Sequence, residues 1–473
     1  MKTPSLSELA KASLSLAQQD AGLWGKEAEK IARERLGWLE LPERSRELLP
    51  TLDALAAWSR SVKRNRFVLS GMGGSSLAPE VIASTFGREL TLLDSTHPED
   101  VRCVLDVNPE DTIFIISSKS GETIETLSHL KAITKHLEQL NLEPSEHIVV
   151  ISDPHSPLSL WAKEHHIRHF AGDPTVGGRF SALSIFGLLP AALLGVDCAT
   201  LLDDAADMKS ALCQSHGESF ATELAFEILE NGPFLNLPNS PLSHWIEQLV
   251  AESSGKEGKG IIPVISERKE ILPSVRRAQS LPLGAAFYLW EWTTSLLGYA
   301  LGVNPFDQPD VASAKEATHV ALNDKIQIDS MVIRKGSELL SWCEKVNSAP
   351  GYLALLCYLP MHNKELIDLA NALKNNLEEK LRATGIPVTL GFGPRYLHST
   401  GQCHKGGPDF GRFAIITLDD EADYPIPDAN YSFRMLITAQ ALGDFHALQH
   451  IGRPVTHAHL TRDELKALVE LSA

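Results

Sequence analysis

Residues 112–126, TIFIISSKSGETIET, decide how this chain is read. The apolar run TIFII has the unbroken hydrophobicity of a strand buried on both faces of a parallel sheet. It stops at a hydroxyl-rich loop with one glycine, residues 117–123. Behind the loop, Ile124, Leu127, Leu130 and Ile133 keep helical spacing, so strand, loop and helix follow one another without a gap. A helix start presents unpaired backbone N–H groups and the positive end of its dipole. Ser118, Ser120 and Thr123 add hydroxyl donors there, with Lys119 nearby. Such a loop suits a phosphate; the alternative is an ordinary turn with a Ser/Thr helix cap.

A second loop of the same kind comes earlier. FVLS (67–70) runs into GMGGSSL (71–77) and then into a helical stretch at 79–86. Gly73 and Gly74 permit close backbone approach and Ser75 adds a donor. The spacing is not that of a dinucleotide fingerprint, because Leu77 and Ala78 stand where a third glycine would be sought. Two such units point to a small phosphorylated ligand at the carboxyl ends of parallel strands. Further short apolar runs, LTLLDS, HIVVISD and HFAGD, alternate with helical segments, the pattern of a doubly wound sheet. In DPTVGGRFS (173–181), Gly177 and Gly178 precede Arg179, which suggests a tight loop aiming a guanidinium into a pocket; the alternative is a structural ion pair.

Composition excludes several classes. With 473 residues, 43% of them hydrophobic, the chain can bury a large core and divide into two or three domains. A formal net charge of −17 argues against nucleic acid or an anionic membrane as the main partner, so an anionic substrate has to be held by local positive groups. The six cysteines show no CxxC spacing, which signals neither zinc nor a disulfide framework and fits reduced thiols in a cytoplasm. The N-terminal segment is too polar for a secretory signal. The long apolar stretch 281–303 reads as a buried helix and not a membrane span, because it carries Glu291 and threonines.

Taken together, GMGGSSL (71–77), SSKSGET (117–123) and VGGRFS (176–181) resemble the sugar isomerase (SIS) fold of the phosphoglucose isomerases. The resemblance continues in AESSGKEGKG (251–260), NPFDQPDVASAK (304–315) and GFGPRYLHSTGQCHKGGPDFG (391–411). These later blocks are most similar to the isomerase half of bifunctional transaldolase/phosphoglucose isomerase proteins. A transaldolase half is not expected, since about sixty residues precede the first strand and a β/α barrel needs roughly 200 or more.

The resemblance implies an α/β fold with two SIS-type doubly wound parallel-sheet subdomains and surrounding helices. The expected division is a helical segment at 1–60, a first SIS domain at 61–200, a second, shortened SIS domain at 201–325, and a C-terminal α/β segment at 326–473 that completes the second domain and the active site. The second sheet is expected to open at 233–237 and continue at 261–265. The implied activity interconverts glucose 6-phosphate and fructose 6-phosphate through an enediolate, with no metal or cofactor, in a cytoplasmic homodimer. The other readings are a regulatory or catalytically weakened sugar-phosphate-binding SIS protein, and another aldose–ketose isomerase.

The implied site follows motif by motif. Gly73, Gly74, Ser75, Ser118, Lys119, Ser120, Thr123 and Gly178 surround the sugar phosphate. Arg179 stabilises negative charge on the reacting oxygens. Gln308 and Lys315, seven apart, stand two turns apart on one helix face, and both line the pocket. Ring opening calls for an acid/base such as His398 with Lys315 as helper, and His404 contacts substrate. For the proton-moving group Glu252 is the first choice, with Glu247, Glu267, His398 and His404 as alternatives. The block 391–411 is dense in glycine and polar groups and reads as a functional loop that builds no core.

Overall fold

The five apolar runs of the first half pair as one sheet in the computed structural model of the protein, which describes residues 3–214, 217–267, 269–310, 322, 336–345, 351–419 and 423–473. The strands are β1 (Arg66–Gly71), β2 (Thr91–Leu93), β3 (Thr112–Ser117), β4 (Ile148–Ser152) and β5 (Arg168–Ala171). Every pairing is parallel and the order is β2-β1-β3-β4-β5. β3 and β4 are buried along their whole length, which is why they read as unbroken apolar runs. From β1 the chain goes to β2 on one side and then crosses to β3 on the other. The loops after β1 and β3 therefore leave from the point where strand order reverses, the place at which open α/β sheets bind ligands.

This sheet belongs to a compact unit made of Met1–Leu93, Val107–Gly255 and Lys259–Asp307. Its N-terminal segment is pinned to the helix Leu283–Leu301. Trp24 Nε1 donates to the Ser295 carbonyl at 3.0 Å, Trp292 Nε1 to Ser13 Oγ at 2.9 Å, and the Tyr288 hydroxyl to the Leu39 carbonyl at 3.1 Å. Trp38 sits among the rings of Phe180, Tyr288 and Trp292. Full burial of a large apolar side chain contributes roughly 1.5–3 kcal/mol, so this aromatic cluster is a main support of the unit. Glu291 lies on the same helix with no accessible surface, and burial pushes its carboxyl well above the usual carboxylate range. Among the described residues no helix is long and apolar enough to cross a membrane.

The second large sheet starts later than expected. β6 (Phe234–Leu237) and β7 (Ile262–Ile265) form a two-stranded parallel sheet of their own, within the first unit. Pro263 inside β7 has no N–H to extend a ladder, which confines such a strand to an edge. The second large sheet consists of β8 (Tyr352–Tyr358), β9 (Val388–Phe392), β10 (Gly411–Leu418) and β11 (Val455–Leu460), all parallel, in the order β11-β10-β8-β9. It lies in a second compact unit of Asp94–Asp106, Lys256–Gly258 and Gln308–Ala473. Its strand order reverses between β8 and β10, as the first sheet's does between β1 and β3.

Two features of this unit escape sequence reading. The helix Pro98–Leu105 belongs to it: Asp100, with no accessible surface, accepts the backbone N–H groups of Met361 at 2.9 Å and His362 at 2.8 Å, just after β8. The glycine-dense block 391–411 also builds core, contrary to expectation. Lys405 forms a buried ion pair with Asp444, whose other oxygen accepts the Tyr396 hydroxyl at 2.6 Å. Tyr358 and Tyr396 share a hydrogen bond of 2.9 Å. Arg453 donates to the carbonyls of Lys405, Gly407 and Pro408 at 3.0, 2.6 and 3.2 Å. Tyr396, Lys405 and these carbonyls are thus answered by Asp444 and Arg453 and not by solvent, which is what burial requires of them.

Candidate active site

Three motif loops converge in the first unit, and glycine makes each approach possible. A Cβ on Gly71 would stand 2.9 Å from the Ser117 carbonyl oxygen, so the end of β1 lies directly against the end of β3. A Cβ on Gly74 would stand 2.1 Å from the carbonyl oxygen of Gly178, so the loop after β1 abuts the Arg179 loop backbone to backbone. The turns Gly73–Ser75 and Gly178–Phe180 also pack against each other and against the helix Pro241–Ser254, which ends in Glu252, Ser253 and Ser254.

In the cradle after β3, the helix Ile124–Gln139 starts behind Thr123, whose side chain does not cap it. Ser118 Oγ and Thr123 Oγ1 lie 2.9 Å apart, and Ser118 Oγ accepts the N–H of Gly121 at 3.2 Å, with Gly121 in the left-handed region at φ 68°. Ser118 is buried and Ser120 exposed. Lys119 Nζ is held by both oxygens of Asp153 at 2.7 Å and by the Asp173 carbonyl at 2.9 Å. Burial lowers the Lys119 ammonium from its ordinary range, against the pull of Asp153. Its charge therefore stands beside the cradle already paired.

Arg179 is 4% exposed and held from several directions. Its Nε donates to Ser253 Oγ at 2.8 Å, Nη1 lies 3.0 Å from Glu252 Oε1, and Nη2 donates to the carbonyls of Pro305 at 2.6 Å and Asp307 at 2.9 Å. Burial lowers the guanidinium from its usual range, while Glu252 and then Asp307 act to raise it. The second oxygen of Glu252 accepts Gln248 Nε2 at 3.1 Å. Beside Arg179, Phe180 packs on Trp38 and Phe306, fixing the turn from behind. Asn304 shapes the opposite loop, accepting the Phe306 N–H at 3.0 Å and donating to Asp307 Oδ2 at 3.1 Å, so that the Pro305 and Asp307 carbonyls face the guanidinium.

The structure thus brings Gly73, Gly74, Ser75, Gly178, Arg179 and Glu252 into one cluster and joins Ser118 to Thr123. Of the alternative carboxylates, Glu247 faces His244 at 3.9 Å and Glu267 is exposed. In the second unit, Gln308 is exposed and His398 is half-buried at the end of a short turn, Arg395–His398. Lys315 lies outside the described residues. His404, expected to touch substrate, is enclosed by the rings of Tyr352, Tyr396 and Phe413, and its Nδ1 has no hydrogen-bond partner. Burial first, then Lys405 and Arg453, pushes its imidazole down to about 3. Sequence reading missed Gln248, Ser253 and the two carbonyls. Ser253 stood inside a quoted motif and Gln248 one helical turn before Glu252, whereas backbone carbonyls leave no signature in side-chain identity.

The fold is of the SIS type: parallel doubly wound sheets with surrounding helices and glycine- and serine-rich loops at the switch point. It is similar to the crystal structure of a glucose-6-phosphate isomerase from Chlamydia trachomatis, with a TM-score of 0.53 and 19% identity over 67% of this chain and 84% of that one. The Phosphoglucose isomerase family model matches residues 40–225. Glucose-6-phosphate isomerase from Thermus thermophilus is 35% identical over 242 residues, which are 47% of this chain and 56% of the relative. The enzyme of the same name from Carboxydothermus hydrogenoformans is 31% identical over 256 residues, 48% of this chain and 55% of the relative. These matches support the phosphoglucose isomerase family, and they span about half the length of the curated relatives.

Proposed function

We propose that this chain is a glucose-6-phosphate isomerase, with later motifs similar to those of the isomerase half of the bifunctional transaldolase/phosphoglucose isomerases. The observation that carries this reading is the pairing of Arg179 with Glu252 where the Gly73–Ser75 turn meets the Arg179 turn. Moving a proton between C1 and C2 of a sugar phosphate builds negative charge on the C1 and C2 oxygens. It therefore calls for a fixed cation beside a proton-carrying group. In this assignment Ser75, Ser118, Ser120 and Thr123 hold the phosphate, Arg179 stabilises the enediolate, and Glu252 takes the proton from one carbon and returns it to the other. Ring opening falls to His398 with Lys315, and Gln308 lines the sugar. The chain acts in the cytoplasm as a homodimer and uses no metal or cofactor.

A coupled assay in both directions, from glucose 6-phosphate and from fructose 6-phosphate, tests the reading. Absence of turnover with retained sugar-phosphate binding would leave a regulatory SIS protein. Turnover of a different ketose phosphate alone would leave another isomerase.

The cradle has its own test. Replacing Ser118 and Thr123 by Ala is expected to weaken sugar-phosphate binding by about 1–3 kcal/mol for each lost bond to the phosphate, with folding intact. Unchanged affinity in calorimetry would take this loop out of the site. For assembly, light scattering is expected to report a dimer at micromolar concentration, and a fully active monomer would sink that part of the proposal.

A further inference from the structure

We propose that the loop after β8 is an oxyanion seat of the second sheet and that the chain fills it with carboxylates of its own, those of Asp100 and Glu99, so that this sheet takes no external phosphorylated ligand. The loop leaves from the place where the strand order β11-β10-β8-β9 reverses, as the loop after β3 does in the first sheet. Its two consecutive amides are directed at one group: the Met361 N–H donates to Asp100 Oδ2 at 2.9 Å and the His362 N–H to Oδ1 at 2.8 Å. Beside them Asn363 Nδ2 donates to Glu99 Oε1 at 2.7 Å. Arg462, just behind β11, donates through Nη2 to Glu99 Oε2 at 2.6 Å.

Two backbone amides, a side-chain amide and a guanidinium, converging from strand ends, are a donor set that suits a phosphate. A carboxylate answers it by the same chemistry, since it too offers acceptor oxygens and negative charge. Asp100 has no accessible surface, and Met361 stands 261 residues further along the chain, so the contact is no local turn. The sequence of the loop fits this internal occupant and not an external one. LPMHN (359–363) has neither the glycine nor the Ser and Thr hydroxyls of SSKSGET, and Pro360 has no N–H to offer. The Asn363 side-chain oxygen is taken by the N–H of Leu366 at 3.3 Å. Asp419, directly after the neighbouring strand β10, adds negative charge at the same edge of the sheet. An incoming phosphate would meet carboxylates already in place.

The test uses Asp100→Ala, which removes the carboxylate and leaves the amides. On the full chain, hydrogen exchange of the Met361 and His362 amides is followed by mass spectrometry of the peptide that spans them. Both are expected to exchange about 10-fold faster or more, because each loses a hydrogen bond to a charged group. Formate supplies a carboxylate of the missing size and is expected to slow them again as its concentration rises to about 0.1 M, whereas chloride at equal ionic strength is not. Exchange unchanged by the substitution, or restored by formate no better than by chloride, overturns the proposal and leaves Asp100 a tie between helix and loop. Should Asp100→Ala fail to fold, the unaltered chain carries the test. Inorganic phosphate and glucose 6-phosphate are expected to leave its two amides exchanging as before, and slowing by either would mean a seat open to outside ligands, which is equally fatal. None of these readouts passes through turnover, so failure of the isomerase reading and failure of this proposal are told apart.

Discussion

Arg179→Lys is expected to lower turnover by about 100-fold or more while affinity for the phosphate end of the substrate changes little. The geometry explains the severity. The guanidinium uses its fork to reach Ser253, Glu252 and the carbonyls of Pro305 and Asp307 at once, and a lysine ammonium cannot satisfy partners in four directions from one nitrogen. The charge survives, but its position relative to the developing oxyanion does not, and an interaction made mostly in the transition state is lost from kcat before it is lost from binding. Turnover and independent sugar-phosphate affinity measured on folded Arg179→Lys separate the cases. Near-normal turnover would remove Arg179 from the chemistry. Equal losses of affinity and catalytic efficiency, with turnover intact, would make it a binding residue only.

Lys405→Met is expected to destabilise the second unit by about 3–5 kcal/mol, because it leaves the Asp444 carboxylate without its cation. The Asp444 side chain has no accessible surface and that of Lys405 only 4%, so water cannot replace the lost partner. The Tyr396 hydroxyl at 2.6 Å is a hydrogen bond and not a counter-charge. Pairing Lys405→Met with Asp444→Leu should recover part of the loss, since an apolar pair of similar volume avoids the unpaired buried charge. Amide hydrogen exchange of β8 and β10 under increasing urea reads this unit directly. A loss below about 1 kcal/mol in the single variant would mean that the pair behaves like an exposed one.

What was legible in the sequence follows the range of the forces involved. The strands of the first sheet announced themselves because a strand buried on both faces has to be apolar throughout, and TIFII and IVVIS are. The loops after β1 and β3 were legible because close backbone approach demands glycine and phosphate demands donors. The start of the second sheet was not. FLNL and IPVI look like strands locally and are strands, and only tertiary pairing shows that they stand apart from YLALLCY. Arg179 and Glu252 each stand out in the sequence, yet nothing along the chain says that two residues so far apart share a hydrogen bond. The block around His404 misled because polar residues near glycines usually mean an open loop. Here Asp444 answers the charge of Lys405, while Arg453 pairs with Asp409 and caps the carbonyls of Lys405 and Gly407, and Asp444 and Arg453 come from a distant helix and loop.

The bond between Asp100 and the amides of Met361 and His362 also bears on how such a gene can be rearranged. Each compact unit draws on separate stretches of the chain, so no single cut in the backbone yields either one whole. A fragment ending at Asp307 would keep the buried Asp100 carboxylate but lose both of its amide donors, and one beginning at Gln308 would keep those amides but lose the helix that answers them. A single crossover anywhere from Leu93 to Gln308 therefore divides at least one of the two units. The two sheets are alike in strand order, yet neither unit can be moved whole as a cassette by one crossover.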